Sequence, residues 1–252
     1  MELNIVSFNI RCCDDPNGHS IPERAPRLKA VIDACAPDLI ALQEYRPEWE
    51  KHIAEAFCGE YELLNKYRSE GDDKESGPIL WKKDAFTLVD RGWFWLSDTP
   101  EVESRGWDEV YNCYRICLCA ILEHKASGKR FNFMNTHFGF GDKGQCDSVK
   151  LIAQYSEKIS DLPTFICGDF NMTPAKPAYA EMVKHFTDVN AVTGNDLRDT
   201  FHNYTPHIPT HEHIDYCFVK NGIKPVSQVM LDQSFDGKFP SDHFGLNIKL
   251  EI

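Results

Sequence analysis

The chain has 252 residues, of which 42% are hydrophobic and 26% charged, the balance of an ordinary globular protein with a sizeable core. A formal net charge of −12 argues against broad, sequence-independent adhesion to nucleic acid, which needs lysine and arginine against phosphates. It leaves an anionic substrate open, because a bound divalent cation inverts the local field.

In chain order, Leu3 to Asn9 (LNIVSFN) reads as a first strand, and the polar segment from Asp14 to Pro22 as a loop. From Arg24, the residues Leu28, Val31, Ile32 and Cys35 recur at helical spacing until Pro37 ends the helix. Asp38 to Glu44 is a second apolar strand that ends in an acid, and Pro47 starts a short helix with Trp49, Ile53, Ala56 and Phe57 as its buried stripe. Tyr61 to Tyr67 reads as a strand, followed by a charged loop from Ser69 to Ser76. Pro78 to Trp81 and Phe86 to Leu96 read as an adjacent antiparallel pair, with Lys83 and Asp84 near the turn.

Ser97 to Asn112 is irregular and acidic. Tyr114 to Glu123 and Lys129 to His137 form a hairpin about Ala126-Ser127-Gly128, and a helix runs from Cys146 to Ile159. Thr164 to Cys167 is a short strand suited to burial on both faces. It stops at Gly168, after which Asp169 and Asn171, two apart, share a face if the backbone stays extended. A Pro-rich bend leads into a short helix near Tyr179 to Val183, and the polar stretch from Thr187 to Pro209 resists assignment. His213 to Lys220 is a strand expected to pair with Val226 to Leu231, and Gly245 to Leu250 closes the chain. The pattern is that of an α/β protein with two mixed sheets covered by helices. No repeat or linker divides it, so a single domain over residues 1–252 is expected.

The ten cysteines are not spaced for bridges or a metal knuckle. Cys12 and Cys13 are adjacent, Cys117 and Cys119 alternate, and no Cys-x-x-Cys occurs. Cys35, Cys113, Cys167 and Cys217 sit in apolar runs, where a free thiol behaves as a small hydrophobe. That usage favours a reducing compartment. A strand pattern begins within two residues of Met1 and no apolar run approaches membrane-spanning length, so neither a signal peptide nor a membrane span is expected and the expected location is cytoplasmic.

Polar groups recur where apolar strands stop: Asn9, Glu44, His137, Asp169 with Asn171, His213 with Asp215, and Asp242 with His243. Each has an ordinary explanation, such as an Asx turn for Asn9, a surface ion pair for Glu44 or a satisfied core histidine at His137. Their repetition at strand ends points instead to one ligand site on a loop-bearing sheet edge.

The ordered set Phe8-Asn9, Leu42 to Glu44, Asn135 to His137, Gly168 to Asn171, His213 to Tyr216 and Ser241 to His243 resembles the endonuclease/exonuclease/phosphatase superfamily, from Phe8 to His243. The segment Phe94 to Glu101, with Arg105 and Trp107 after it, resembles bacterial members of unassigned substrate. The resemblance implies a four-layered α/β/β/α sandwich, with two mixed sheets face to face and helices outside. It also implies Mg²⁺- or Mn²⁺-dependent hydrolysis of a phosphoester by an activated water. Carried over by motif, Glu44 is the principal metal ligand, helped by Asn9 and Asp242. Asp169 orients and deprotonates the water, Asn171 and His137 hold phosphoryl oxygens, and Asp215 fixes the tautomer of His243. Arg115 lies where related nucleases contact phosphate. His243 is left open between general base and phosphate-binding cation.

These residue types suit the chemistry. Mg²⁺ takes few carboxylates and several waters, and phosphoryl transfer needs charge neutralisation and in-line positioning above all. The sequence departs from the pattern at Phe138-Gly139-Phe140, where a leucine is common. Trp93, Trp95 and Trp107 are candidates to stack on a base or sugar, against ordinary aromatic packing. The substrate is left open among a nucleic acid, a nucleotide, an inositol phosphate and a phospholipid headgroup. The acidic balance favours a small or single-stranded one over duplex DNA, and the absence of an exposed hydrophobic hairpin or secretion signal disfavours a lipid. No obligate protein partner is expected. The competing readings are a catalytically silent binding module of the same fold and a glycoside hydrolase using Glu44 and Asp169.

Overall fold

The computed structural model describes residues 1–71 and 73–252. The strands of its first sheet are β1 (Glu2–Asn9), β2 (Leu39–Gln43), β3 (Tyr61–Leu64) and β4 (Ile79–Lys82), joined late in the chain by β11 (Lys224–Leu231) and β12 (Gly245–Glu251). They lie in the order β11-β12-β1-β2-β4-β3. The second sheet takes β5 (Phe86–Trp95), β6 (Ile116–His124), β7 (Arg130–His137), β8 (Thr164–Asp169), β9 (Thr187–Asp188) and β10 (Asp215–Lys220) in the order β5-β6-β7-β8-β10-β9. Each sheet is mixed. The parallel pairs are β1 with β2 and β7 with β8, and each is bridged by a crossover helix, α1 (Ile21–Cys35) or α3 (Asp142–Ile159).

Period-two alternation makes the layers. Leu3 and Ile5 of β1, with Phe165 and Cys167 of β8, belong to the core between the sheets. Val6 and Phe8 turn the other way, against Leu28, Val31 and Ile32 of α1 and Trp49 and Ile53 of α2 (Pro47–Phe57). Ile166 packs outward on Val149 and Ile152 of α3. Helix, sheet, sheet and helix are thus four layers joined by three apolar interfaces, each burying alternate strand residues at about 25 cal/mol per Å² of apolar surface. Two short helices, α4 (Pro177–Met182) and α5 (Val189–Thr193), complete the second side. Among the described residues no helix is long and apolar enough to cross a membrane.

Two strand pairings differ from expectation. β4 does not pair with β5; it inserts between β2 and β3, antiparallel to both, while β5 pairs with β6. Ile79, Leu80 and Trp81 are buried, which suits a strand with neighbours on both sides, and the Lys83–Ala85 link carries the chain from one sheet to the other. Likewise β10 pairs with β8 and β9, and β11 pairs with β12. The left-handed turn at Asn221-Gly222 makes that second change of sheet. Adjacency in sequence is a good guide to pairing only when both strands belong to one layer. Helix α1 starts at Ile21, earlier than the periodicity indicates, because Pro22 fits a first turn that needs no N–H. Helix α3 likewise starts at Asp142, four residues ahead of Cys146.

Three hydrogen bonds of one side chain hold the sheets together near one rim. Asn135 of β7 donates from Nδ2 to the carbonyls of Leu42 (2.8 Å) and Pro78 (3.1 Å). Its Oδ1 accepts from Gln43 Nε2 at 2.8 Å. All these groups are buried, so the amide satisfies polar atoms that water cannot reach.

Candidate active site

Parallel pairing of β7 with β8 sets His137 opposite Asp169, and antiparallel pairing of β10 with β8 sets Asp215 opposite the same residue. Gly168 makes this approach possible: a Cβ there would lie 2.1 Å from the Thr136 carbonyl oxygen. Across the seam, β1 and β2 end at Asn9 and Gln43 and deliver Asn9 and Glu44 to the same rim. Glu44 (φ 60°) and Asn171 (φ 48°) both adopt the left-handed region, which costs a residue with a Cβ ~1–3 kcal/mol and persists where surrounding bonds enforce it.

Asp169 is the centre. Its Oδ2 accepts from Asn9 Nδ2 at 3.0 Å, and its Oδ1 from the Asn171 N–H at 2.9 Å. His137 Nε2 lies 3.4 Å and His243 Nε2 3.8 Å from Oδ2. Burial, with the nearby Asp215 charge, raises the Asp169 carboxyl above its usual range against the pull of both histidines. His243 Nδ1 donates to Asp215 Oδ2 at 2.9 Å; a carboxylate only accepts, so the bond fixes the tautomer. Burial would depress His243, yet the Asp215 charge and hydrogen bond, with Asp169 and Asp242, lift it to about 10.

A second carboxylate backs the other imidazole. Glu75 Oε1 lies 3.4 Å from His137 Nδ1 and pairs with Arg68 and, at 3.8 Å, with Arg115. Burial pushes Glu75 up, but Arg68, His137 and Arg115 hold it down to about 2. Asp169 is therefore flanked by two imidazoles, each with a buried acid behind it.

Glu44 accepts from Asn9 Nδ2 (3.1 Å) and from the Cys12 N–H (2.8 Å). Burial and Glu75 oppose its ionisation, but His137, the Cys12 N–H and His243 keep its pKa below the usual value. Asp242, 3.6 Å from Arg11 Nε, is raised by burial and, among its charged neighbours, by Glu44. Two carboxylates that oppose each other's ionisation are a hard, oxygen-only donor set of the kind Mg²⁺ or Mn²⁺ takes. Asp169, Asp215 and His243 also offer ligand atoms within 4.8 Å of one another, but the His243–Asp215 hydrogen bond already uses that pair's facing atoms. The Asn9 amide lies between the two carboxylates Glu44 and Asp169. The Arg11 N–H donates to its Oδ1 at 3.1 Å, which fixes the amide orientation, so Nδ2 faces and bridges Glu44 and Asp169.

These groups open into one cavity of about 500 Å³. Glu44, Asp169, Asn171, His137, Arg115, Asp242 and His243 line it, while Asp215 stands behind His243. Arg115 is tied to Asp108 at 3.2 Å. Asn171 is not on an extended strand: it follows the β8 end in an Asx turn, donating from Nδ2 to the Phe138 carbonyl at 2.9 Å and keeping one amide hydrogen for a ligand. His213 stays out of the cavity, bound to the Arg198 carbonyl at 2.8 Å and packed on Tyr216.

Four charged lining residues have no strand-end signal in the sequence: Arg11, Arg68, Glu75 and Glu212. Glu75 lies buried in the loop before β4 and Glu212 half-buried in the polar segment before β10, where no periodicity marks a cavity acid. None of the three candidate tryptophans lines the cavity. Trp95 is in the core between the sheets, Trp107 bonds Asp98 at 3.1 Å, and Trp93 lies under Lys66. The lining aromatics are Tyr111, Phe140 and Phe201.

Known proteins share this sequence pattern and this fold. The sequence pattern of the Endonuclease/Exonuclease/phosphatase family matches residues 6–243. A protein of that family from Bacteroides thetaiotaomicron superposes with a TM-score of 0.91 at 28% identity, over 99% of this chain and 97% of that one. A mannosyl-6-phosphatase from Bacteroides thetaiotaomicron VPI-5482 superposes with a TM-score of 0.89 at 28% identity, covering 99% of this chain and 100% of its own. An uncharacterised protein of Acanthamoeba polyphaga mimivirus is 30% identical over 180 residues, 67% of each chain.

Proposed function

Because the chain belongs to the Endonuclease/Exonuclease/phosphatase family, whose members are hydrolases acting on phosphoester bonds, we propose that it hydrolyses a phosphoester by direct attack of water on phosphorus. The observation that carries this reading is Asp169 held between His137 and His243, each backed by a buried acid.

In this mechanism Asp169 orients the attacking water and takes its proton; a carboxyl raised by burial is a better base than an exposed one. Asn9 keeps Oδ2 directed at the seam without neutralising it. His243, lifted to about 10, is an imidazolium at neutral pH and donates from Nε2 to a phosphoryl oxygen, so of its two candidate roles the cation is preferred to the base. His137 and the remaining amide hydrogen of Asn171 contact other phosphoryl oxygens. Arg115 adds positive potential from the wall. Glu44 and Asp242 would hold a divalent cation, which would supply charge neutralisation at the phosphoryl group. The mannosyl-6-phosphatase similar to this chain from end to end supports a phosphomonoester among the substrates.

The test is turnover of p-nitrophenyl phosphate, bis-p-nitrophenyl phosphate and single-stranded oligonucleotides with Mg²⁺ or Mn²⁺, in H₂¹⁸O. The expected result is activity lost in EDTA and in Asp169→Asn, with one solvent oxygen in the product phosphate. Turnover indifferent to EDTA, or unchanged in Asp169→Asn, overturns the mechanism.

A further inference from the structure

Five carboxylates line the cavity, and four of them are held: Glu44 by Asn9 and Cys12, Glu75 by Arg68, Asp169 by Asn9 and Asn171, and Asp242 by Ser241. Glu212 differs. Its main-chain carbonyl is pinned by the N–H groups of Thr200 (3.0 Å) and Phe201 (3.1 Å). Its side-chain carboxylate has no hydrogen-bond or ion-pair partner among the described residues. A fixed backbone carrying an unengaged acceptor in a cavity wall is a group waiting for a donor from the ligand.

The surroundings say which kind of donor. Phe140 and Tyr111 stand edge to face at the rim with ring centroids 5.4 Å apart. Tyr111 is not a loose rim residue: Asp108 Oδ1 accepts its N–H at 2.8 Å, and Asp108 is in turn held by Arg115. Ile214 and Phe201 add apolar wall. The three lining arginines each already pair with a carboxylate: Arg11 with Asp15, Arg68 with Glu75, and Arg115 with Asp108. A nucleic-acid strand would bring a second phosphate to this cavity, where it would face the bare Glu212 charge and no unengaged arginine. A ring with hydroxyl groups on its edge and C–H bonds on its face suffers no such repulsion. Its hydroxyls donate to the carboxylate as charge-assisted hydrogen bonds, and its C–H face packs on the aromatic pair.

We propose that the group leaving from phosphorus is an uncharged polyhydroxylated ring, a sugar carrying its phosphate as a monoester, with Glu212 accepting from its other hydroxyls and Phe140 and Tyr111 packing its face. As the bond from phosphorus to the water oxygen forms, the ester P–O bond breaks, and the sugar's ester oxygen departs as a hydroxyl with a proton from solvent. The inference rests on the phosphoesterase reading and makes Glu212 the residue that sets specificity. A cavity of about 500 Å³ lies within the range used for small ligands.

The experiment compares kcat/KM for hexose 6-phosphates, p-nitrophenyl phosphate, phosphocholine and a 5′-phosphorylated single-stranded oligonucleotide, in wild type and in Glu212→Gln and Glu212→Ala. It adds calorimetric binding of a hexose 6-phosphate to Asp169→Asn protein with and without Glu212→Ala. The expected result is a preference of at least about tenfold for a hexose 6-phosphate over the oligonucleotide. Glu212→Ala should lower the ratio of hexose phosphate to p-nitrophenyl phosphate turnover about tenfold through KM, and weaken hexose phosphate binding similarly. Glu212→Gln should narrow the gap to the oligonucleotide, because the repulsion is gone. Turnover of p-nitrophenyl phosphate without turnover or binding of any hexose phosphate overturns the sugar assignment and leaves the phosphoesterase reading standing. A preference for phosphocholine or the oligonucleotide, or an unchanged ratio in Glu212→Ala, also overturns it. Binding of a hexose phosphate by a protein that turns over no ester overturns the phosphoesterase reading alone.

Discussion

Asn9 and Asp169, 160 positions apart, are joined by a 3.0 Å hydrogen bond that crosses from one sheet to the other. The same amide nitrogen reaches Glu44, so one side chain spaces two carboxylates that would otherwise repel.

Replacing it should therefore damage rate more than fold. Asn9→Ala removes both bonds and is expected to lower kcat by about 100-fold, the scale seen when a positioned polar group is lost from an active site. Thermal unfolding should shift by only a few degrees, for ~1–2 kcal/mol of lost hydrogen bonding. Steady-state kinetics beside a melting curve check both; a variant within twofold of wild-type turnover removes Asn9 from the mechanism.

Glu44 and Asp242 oppose each other's ionisation, and a divalent cation would relieve that. Saturating Mg²⁺ or Mn²⁺ should raise the melting temperature of the wild type by several degrees, since a ligand at 100 times its Kd adds about 2.7 kcal/mol. In Glu44→Ala the metal-induced shift should vanish along with turnover. An equal shift in both proteins would put the ion elsewhere.

The His243–Asp215 pair makes stability depend on pH in the metal-free chain. His243 is raised from about 6.5 to about 10 on folding, so the folded state binds its proton more tightly than the unfolded one. That contribution is fully present below about pH 6.5 and is lost as pH rises through about 10. Asp215→Asn removes the largest opposing charge and should flatten this dependence. Denaturant midpoints in EDTA at pH 6, 8 and 10 check it; parallel slopes for the two proteins would deny that Asp215 sustains the charge.

Asn135 makes three buried hydrogen bonds between the sheets. Asn135→Leu removes all three bonds, leaving the Pro78 carbonyl only the Leu42 N–H and the Gln43 amide nitrogen only Ser7 Oγ, and should cost about 2–4 kcal/mol. Chemical denaturation measures the loss. A change under 0.5 kcal/mol would mean that the two sheets are held by apolar packing alone.

What the sequence discloses and what it hides follow from the range over which each feature is encoded. Strand ends are local: Phe8-Asn9, the Glu44 terminus and the Gly168-Asp169 stop are visible because an apolar run meets a polar residue within two positions. Sheet membership is not local. Trp81 and Phe86 are five positions apart yet lie in different sheets, and no propensity distinguishes a hairpin from a crossing between layers. The same reason hid Glu75 and Glu212, which lie in irregular segments and are placed by partners outside any helical or strand period (Arg68 and Arg115 for the first, the Thr200–Phe201 segment for the second). Asn171 shows a subtler miss: alternation assumes an extended backbone, and the Asx turn off Asp169 breaks it.

The pairing of β1 with β12, Glu2 against Glu251 and Ser7 against Leu246, has a consequence for biosynthesis. β1 waits on one flank for a strand encoded far later in the chain, so that side of the sheet stays open until Gly245–Glu251 has been made. Until then that flank is an open edge of apolar, β-prone residues. A ribosome that stalls before Gly245 releases a product with a sticky margin, and slower or cooler expression should repay the producer of this protein with soluble yield.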